Sequence, residues 1–170
     1  APNQGMWCCV GSGMENHGQY GRFIYSHQDN SLFVNLFIAS ELDWKAKNVR
    51  VRQETRFPDE AGTVLTISAD KPVRISLEIR HPKWVPAGQL TFKLGERTWA
   101  SESTPSSYAE IDRIWKNGDR LEILLPMHTT IEAMPNVPEY VAIMHGPIVL
   151  AAKTGTEDIK GLIADDQRWA

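Results

Sequence analysis

The chain has 170 residues, 42% of them apolar and 23% charged, proportions normal for one compact globular domain. A chain of this length buries about 70% of the surface its unfolded form exposes, so its core needs neither a disulfide lattice nor a metal staple. The formal net charge is −3, from 18 basic and 21 acidic side chains mixed along the sequence, which excludes the basic footprint of a nucleic-acid partner. The longest apolar runs, 31–40 and 140–152, are broken by Asn35 and by His145, Gly146 and Pro147, and neither reaches the roughly 20 residues of a membrane span.

The sequence opens Ala1-Pro2-Asn3-Gln4-Gly5, with no basic or apolar leader pattern, and reads as a piece of something longer. The spacing then predicts one short helix over 11–26. Ser12 followed by Glu15 has the form of a capping box, and Met14, Gly18, Gly21 and Tyr25 share a face. Two glycines weaken such a helix on its own, so an element packed closely on the glycine side is expected.

After Asp29-Asn30 the pattern changes to period two, the signature of strands with one buried face. Strands are predicted over 32–39, 49–56, 63–68 and 73–80; in the last, Val73, Ile75, Leu77 and Ile79 alternate with Arg74, Ser76, Glu78 and Arg80. Further strands follow over 89–94, 108–114, 120–125, 129–134, 140–144 and 148–151. Asn117-Gly118 is the strongest hairpin signal. Many short strands bounded by Pro, Gly, Asp and Asn, with a single helix, predict a mainly β protein: an antiparallel, jelly-roll-like β-sandwich preceded by a short helix. Parallel strands would call for repeated crossover helices, which the sequence lacks.

The chemistry concentrates in Trp7-Cys8-Cys9-Val10-Gly11-Ser12-Gly13. A helix start presents unpaired N–H groups that favour a thiolate, which makes Cys8 or Cys9 a candidate nucleophile. The pair also suits zinc, although a closed tetrahedral site needs four ligands. Two small, buried, inert side chains are an equal alternative, and a vicinal disulfide is a weaker one because it strains the intervening peptide. Glu15 and His17 are the nearest oxygen and nitrogen donors, at no recognised zinc spacing. Trp84 and Trp115 are read as core or corner packing, and His81, His128 and His145 as structural, since no carboxylate spacing suggests a triad.

Residues 8–17, Cys-Cys-Val-Gly-Ser-Gly-Met-Glu-Asn-His, resemble the vicinal-cysteine segment of one glycoside hydrolase family, the former DUF1680 group that contains the β-L-arabinofuranosidases, in its Bacteroidetes-type variant. The resemblance continues in order through Leu32 to Ile38, Gln53 to Pro58, Ile79-Arg80-His81-Pro82-Lys83-Trp84, Ile114 to Asp119 and His145 to Val149. It implies a parent enzyme in which an (α/α)6-barrel catalytic domain precedes β-sandwich domains. Residues 1–28 would then close the barrel, 29–153 form the sandwich, and 154–170 begin a following segment. By the same resemblance Cys8 is the nucleophile and Cys8 and Cys9 are zinc ligands. The remaining ligands and the acid/base glutamate would come from the upstream barrel. The implied substrate is an arabinose-containing plant glycan, the implied location periplasm or cell envelope, and the fragment alone is expected to be inactive.

Trp7 would wall the pocket. Glu15 and His17 are candidate substrate contacts, although helix capping and solvent exposure account for them more simply. The competing reading is a non-catalytic carbohydrate-binding or structural β-sandwich module whose cysteines are incidental.

Overall fold

A computed structural model describes residues 8–153. It divides into two compact units, one containing the described helix as far as Arg22 and the other spanning Phe23–Leu150.

The helix α1 runs Cys8–Phe23. It already contains both cysteines, so Ser12 lies inside it rather than at its start. A capping residue stands at the helix start, outside the first helical turn, so the capping-box reading of Ser12 and Glu15 does not hold. Arg22 occupies the last turn, where a cation faces the negative end of the helix dipole. Among the described residues nothing lies within 4 Å of a Cβ built at Gly18 or Gly21, so the expected partner on that side is not found there.

The helix also stops earlier than the expected position 26. Tyr25–Gln28 form strand β1, paired antiparallel with β2, Ser31–Val34. Asp29 takes a left-handed φ of 51° in the turn between them, a conformation that Asp and Asn tolerate better than other non-glycine residues. The predicted strand 32–39 is cut at Val34 because the chain turns away. The N–H of Asn35 bonds the Ile24 carbonyl at 2.9 Å, while the buried Gln53 donates from Nε2 to the carbonyls of Leu36 (3.0 Å) and Ile38 (2.8 Å).

The chain then builds β3 (Ser40–Trp44), β4 (Val49–Glu54), β5 (Gly62–Ala69), β6 (Val73–His81), β7 (Thr91–Leu94), β8 (Arg97–Ala100), β9 (Ser107–Trp115) and β10 (Arg120–Leu124). These and the first hairpin form a four-stranded sheet, β1-β2-β6-β9, and a six-stranded one, β3-β4-β5-β10-β7-β8. Leu32, Val34, Ile75, Leu77 and Ile79 of the first sheet share one buried cluster with Val49, Val51, Leu65, Ile67 and Leu121 of the second. The two inner faces therefore seal each other, as in a sandwich. The close β5–β10 pairing needs Gly62, where a Cβ would come within 2.8 Å of the Ile123 carbonyl oxygen.

Two features depart from the sequence expectation. β2 and β6 pair in parallel, and their crossover is not a helix: β3, β4 and β5, running in the opposite sheet, supply the length that a parallel return requires. Asn117-Gly118 does not close a hairpin either, because β9 and β10 belong to different sheets. Gly118, at φ 83°, instead turns the chain from one sheet to the other. Its N–H bonds the Ile67 carbonyl (2.8 Å), the Ile67 N–H bonds the Asp119 carbonyl (2.9 Å), and Asn117 Oδ1 accepts from the Ala69 N–H (3.3 Å).

A third sheet, β11-β12-β13, comprises Thr129–Met134, Val137–His145 and Ile148–Leu150. The expected sandwich range 29–153 thus takes in β2 to β13 but leaves out β1, whose residues 25–28 pair with β2 in the four-stranded sheet. Both of its outer strands end on the central strand β12, and β11 is exposed along its whole length.

Candidate functional site

The backbone of Cys8 and Cys9 lies in the first described turn of α1. Helical geometry sets these adjacent positions about 100° apart in azimuth and about 1.5 Å apart along the axis. Glu15, seven residues on, returns to the stripe of position 8, but roughly 10 Å further along the axis. Position 17 falls on the side opposite position 8. Neither Glu15 nor His17 can therefore complete a metal site with position 8 while the helix is intact. Among the described residues no group of three or more His, Cys, Asp or Glu could hold a metal ion. The chemistry of two thiols nonetheless suits zinc, and it leaves two coordination positions to be filled from elsewhere.

Glu15 and His17 are both exposed. The His17 ring lies 6.0 Å from that of Tyr20, whose hydroxyl accepts a hydrogen bond from Asn16 Nδ2 at 2.9 Å. These contacts make a small polar and aromatic stripe on the helix. Trp7, the expected pocket wall, lies outside the described residues.

Trp115, Trp84 and His81 sit in or against the core. Trp115 is fully buried and donates from Nε1 to the Ile75 carbonyl at 3.1 Å. Trp84 packs against the core and stacks on Phe57, ring centroids 5.8 Å apart. His81 is also fully buried. Its Nε2 faces the Val85 carbonyl at 2.9 Å and must carry a proton there, so in the neutral ring Nδ1 accepts from Ser103 Oγ at 2.7 Å. His128 Nε2 meets Gln89 Oε1 at 2.6 Å, and His145 Nδ1 meets Thr129 Oγ1 at 3.0 Å.

Sequence reasoning passed over one cluster. Tyr108 falls at an outward position of β9, 41% exposed, and its hydroxyl donates to Asn35 Oδ1 at 2.7 Å. Asn35 Nδ2 in turn donates to Ser26 Oγ at 3.1 Å, and the Phe33 ring meets Tyr108 edge-on at 5.2 Å. The signal was present as a large aromatic in the outward phase of the strand, beside Glu110 and Asp112. The partner positions, however, lie more than 70 residues away in sequence.

A helix carrying paired cysteines, joined directly to a two-sheet β-sandwich, describes a structural class: an α-helical element leading into a sandwich module. The chain belongs to the GH127 family, for residues 31–127 match the profile described as the β-L-arabinofuranosidase GH127 middle domain. Residues 130–170 match a domain of unknown function, DUF4986, so the two profiles divide where the sandwich gives way to the third sheet. No curated protein matches the chain.

Among solved structures, a GH127 β-L-arabinofuranosidase of Geobacillus stearothermophilus T6 is 26% identical with a TM-score of 0.71, covering 84% of this chain and 23% of that one. The GH127 β-arabinofuranosidase BT3674 is 25% identical with a TM-score of 0.69, covering 84% and 25%. A further glycoside hydrolase, at 24% identity and a TM-score of 0.73 over 84% and 25%, shares the fold. The chain thus spans about a quarter of the length of these structures.

Proposed function

We propose that this chain is the C-terminal part of a retaining glycoside hydrolase, a β-L-arabinofuranosidase acting on arabinose-containing plant glycans. In this reading Cys8 is the nucleophile, and Cys8 and Cys9 are two of four zinc ligands. One observation carries the reading: a vicinal cysteine pair sits in a helix that leads into a sandwich of the GH127 middle-domain type. The residues before β1 then close a catalytic helical barrel, β1 through residue 153 form the sandwich region and 154–170 begin a following segment. The upstream barrel supplies the remaining zinc ligands and an acid/base glutamate.

Bound zinc would keep the Cys8 thiol ionised at neutral pH, where a free thiol of pKa about 8.5 is mostly protonated. The Cys8 sulfur attacks the anomeric carbon and forms a C–S bond as the glycosidic C–O bond breaks. The departing oxygen takes its proton from the acid/base carboxyl. Water then attacks the same carbon, giving its proton back to that carboxylate and releasing Cys8, so two inversions return the original configuration. Glu15, on the same stripe of the helix as the nucleophile, is a candidate substrate contact; His17, the other candidate, stands on the opposite side of the helix. Trp7 is the candidate pocket wall.

The test uses the full-length enzyme. Cys8→Ala is expected to lower turnover of an arabinofuranoside by roughly a thousandfold or more, and Cys9→Ser to lower zinc content as well as turnover. The isolated chain should hydrolyse nothing. Unchanged turnover in the Cys8→Ala enzyme would overturn the reading and leave the second one standing. That second reading, a non-catalytic sandwich module, is favoured by the match of residues 31–127 to a middle domain rather than a catalytic one.

A further inference from the structure

We propose that the sandwich carries its own binding site for a neutral sugar, separate from the cysteine chemistry, at the open side between strands β8 and β9. There a cavity of about 320 Å³ is walled by Tyr108 and Trp99, by the carboxylates of Glu102 and Glu110, and by Ser103. This volume lies at the lower end of small-ligand sites and gives room for one sugar ring of a chain that continues into solvent. The inference rests on the proposed glycan substrate for the kind of polymer presented, and on the cavity for everything else.

The composition defines the ligand. An exposed tyrosine ring takes the C–H face of a sugar, while carboxylates accept hydrogen bonds from its hydroxyls. Glu102 and Glu110 and no basic side chain line the cavity, while Arg97 beside it is stacked over the Trp99 ring, 5.0 Å from its centroid; the walls therefore disfavour the negative charge of uronic acids and phosphorylated sugars. The wider hollows over the six-stranded sheet lack this combination. Arg52, Arg56, Glu54 and Glu60 there are paired with one another, and no exposed aromatic joins them.

The walls are also held in place before any ligand arrives, which lowers the ordering cost of binding. Tyr108 is fixed by its bond to Asn35 and by the Phe33 edge. Glu110 accepts from Ser76 Oγ at 3.3 Å. Ser103 is held from behind by the buried His81, by Ser101 Oγ at 2.7 Å and through its own N–H to Ser101 Oγ at 3.1 Å.

Calorimetric titration of the intact chain with a neutral arabino-oligosaccharide and with an oligogalacturonide tests the site. Saturable binding of the neutral sugar and none of the acidic one is expected. Tyr108→Ala should weaken the neutral sugar roughly tenfold, about 1.4 kcal/mol, while Tyr108→Phe, which keeps the ring, should stay within about twofold. Should Tyr108→Ala fail to fold by circular dichroism, the exposed pair Glu102→Gln with Glu110→Gln carries the test; it should weaken the neutral sugar and admit the acidic one. No saturable binding by the unaltered chain, or equal affinity in folded Tyr108→Ala, overturns the site. The titration reads binding by a chain expected to hydrolyse nothing, whereas the catalytic reading is tested by turnover of the full-length enzyme, so the failure of one is distinguishable from the failure of the other.

Discussion

Strands β5, β6 and β10 and strands β11 to β13 are written in the same alternating pattern, yet they meet different fates. In the sandwich, Leu65, Ile67, Ile75, Leu77, Ile79 and Leu121 are fully buried. In the third sheet, Ile131 stands opposite Ile143, and Ile143 opposite Leu150, but these side chains are 70%, 46% and 47% exposed. Backbone pairing alone thus produces a sheet in both places. Among the described residues, only in the sandwich does an opposing sheet remove the apolar face from water, and that removal is where most of the stabilisation lies.

The comparison is broken most forcefully at Trp115. Its indole is fully buried in the core cluster and hydrogen-bonds the Ile75 carbonyl, so Trp115→Ala leaves a large cavity and removes that hydrogen bond. A loss of about 3–5 kcal/mol is expected in denaturant unfolding. Gln53→Leu ranks next. It keeps the volume but removes the Nε2 donor that ties the β2–β3 crossing. The Ile38 carbonyl keeps Ser40 Oγ at 2.8 Å, so the loss falls on the Leu36 carbonyl. An unpaired carbonyl costs about 1–3 kcal/mol, and the change offsets part of this by removing Gln53 Oε1, which has no hydrogen-bond partner. A net loss of about 1 kcal/mol should appear as a lower denaturant midpoint with an unchanged slope.

Alternation located most of these strands because it reports the phase of a half-buried chain, whether or not a second layer covers it. It failed where the cause is not periodic. β3 and β8 are short edge strands whose pairing is set by β4 and β7, and β1 was absorbed into the helix because Tyr25 continues the helical face as well as it starts a strand. Asn117-Gly118 gave the turn but not its destination, since the sheet entered after a turn depends on pairing with β5, some 50 residues upstream. At the candidate site, the sequence made Cys8 and Cys9 conspicuous through their adjacency. Tyr108, Asn35 and Ser26 stayed hidden because three separate strand regions bring them together. The opposite sides taken by positions 8 and 17 follow from helical geometry once the helix is known to include the cysteines.

Ile143→Thr sharpens the contrast from the exposed side. A β-branched polar residue keeps the strand preference of position 143 and its ladder hydrogen bonds while removing apolar surface already in water. The unfolding free energy should move by less than about 0.5 kcal/mol, against the several lost at Trp115. A much larger loss in the unfolding midpoint of the intact chain would mean that this face is covered in solution.

The smallest effect is expected on the outward face of the sandwich itself, which resembles the third sheet in being open to water. Arg74 donates from Nε and Nη2 to the two carboxylate oxygens of Asp112, at 3.2 and 2.7 Å, and this hydrogen bonding holds the Asp112 carboxyl below its ordinary value of 3.8. A depressed folded-state pKa contributes stability that is complete above the unfolded value and is lost as pH falls through the folded one. The acid limb of the melting profile, followed from pH 6 down to 2, should therefore be shallower in Arg74→Ala than in the unaltered chain, with the curves converging at the acid end. Both groups are exposed, so screening by salt should narrow the gap further. An unchanged acid limb would mean that the pair forms no differently in the folded and unfolded chain. The outer face would then contribute as little as the uncovered sheet, and the whole difference between the two regions would reside in the layer between β2-β6-β9 and β4-β5-β10.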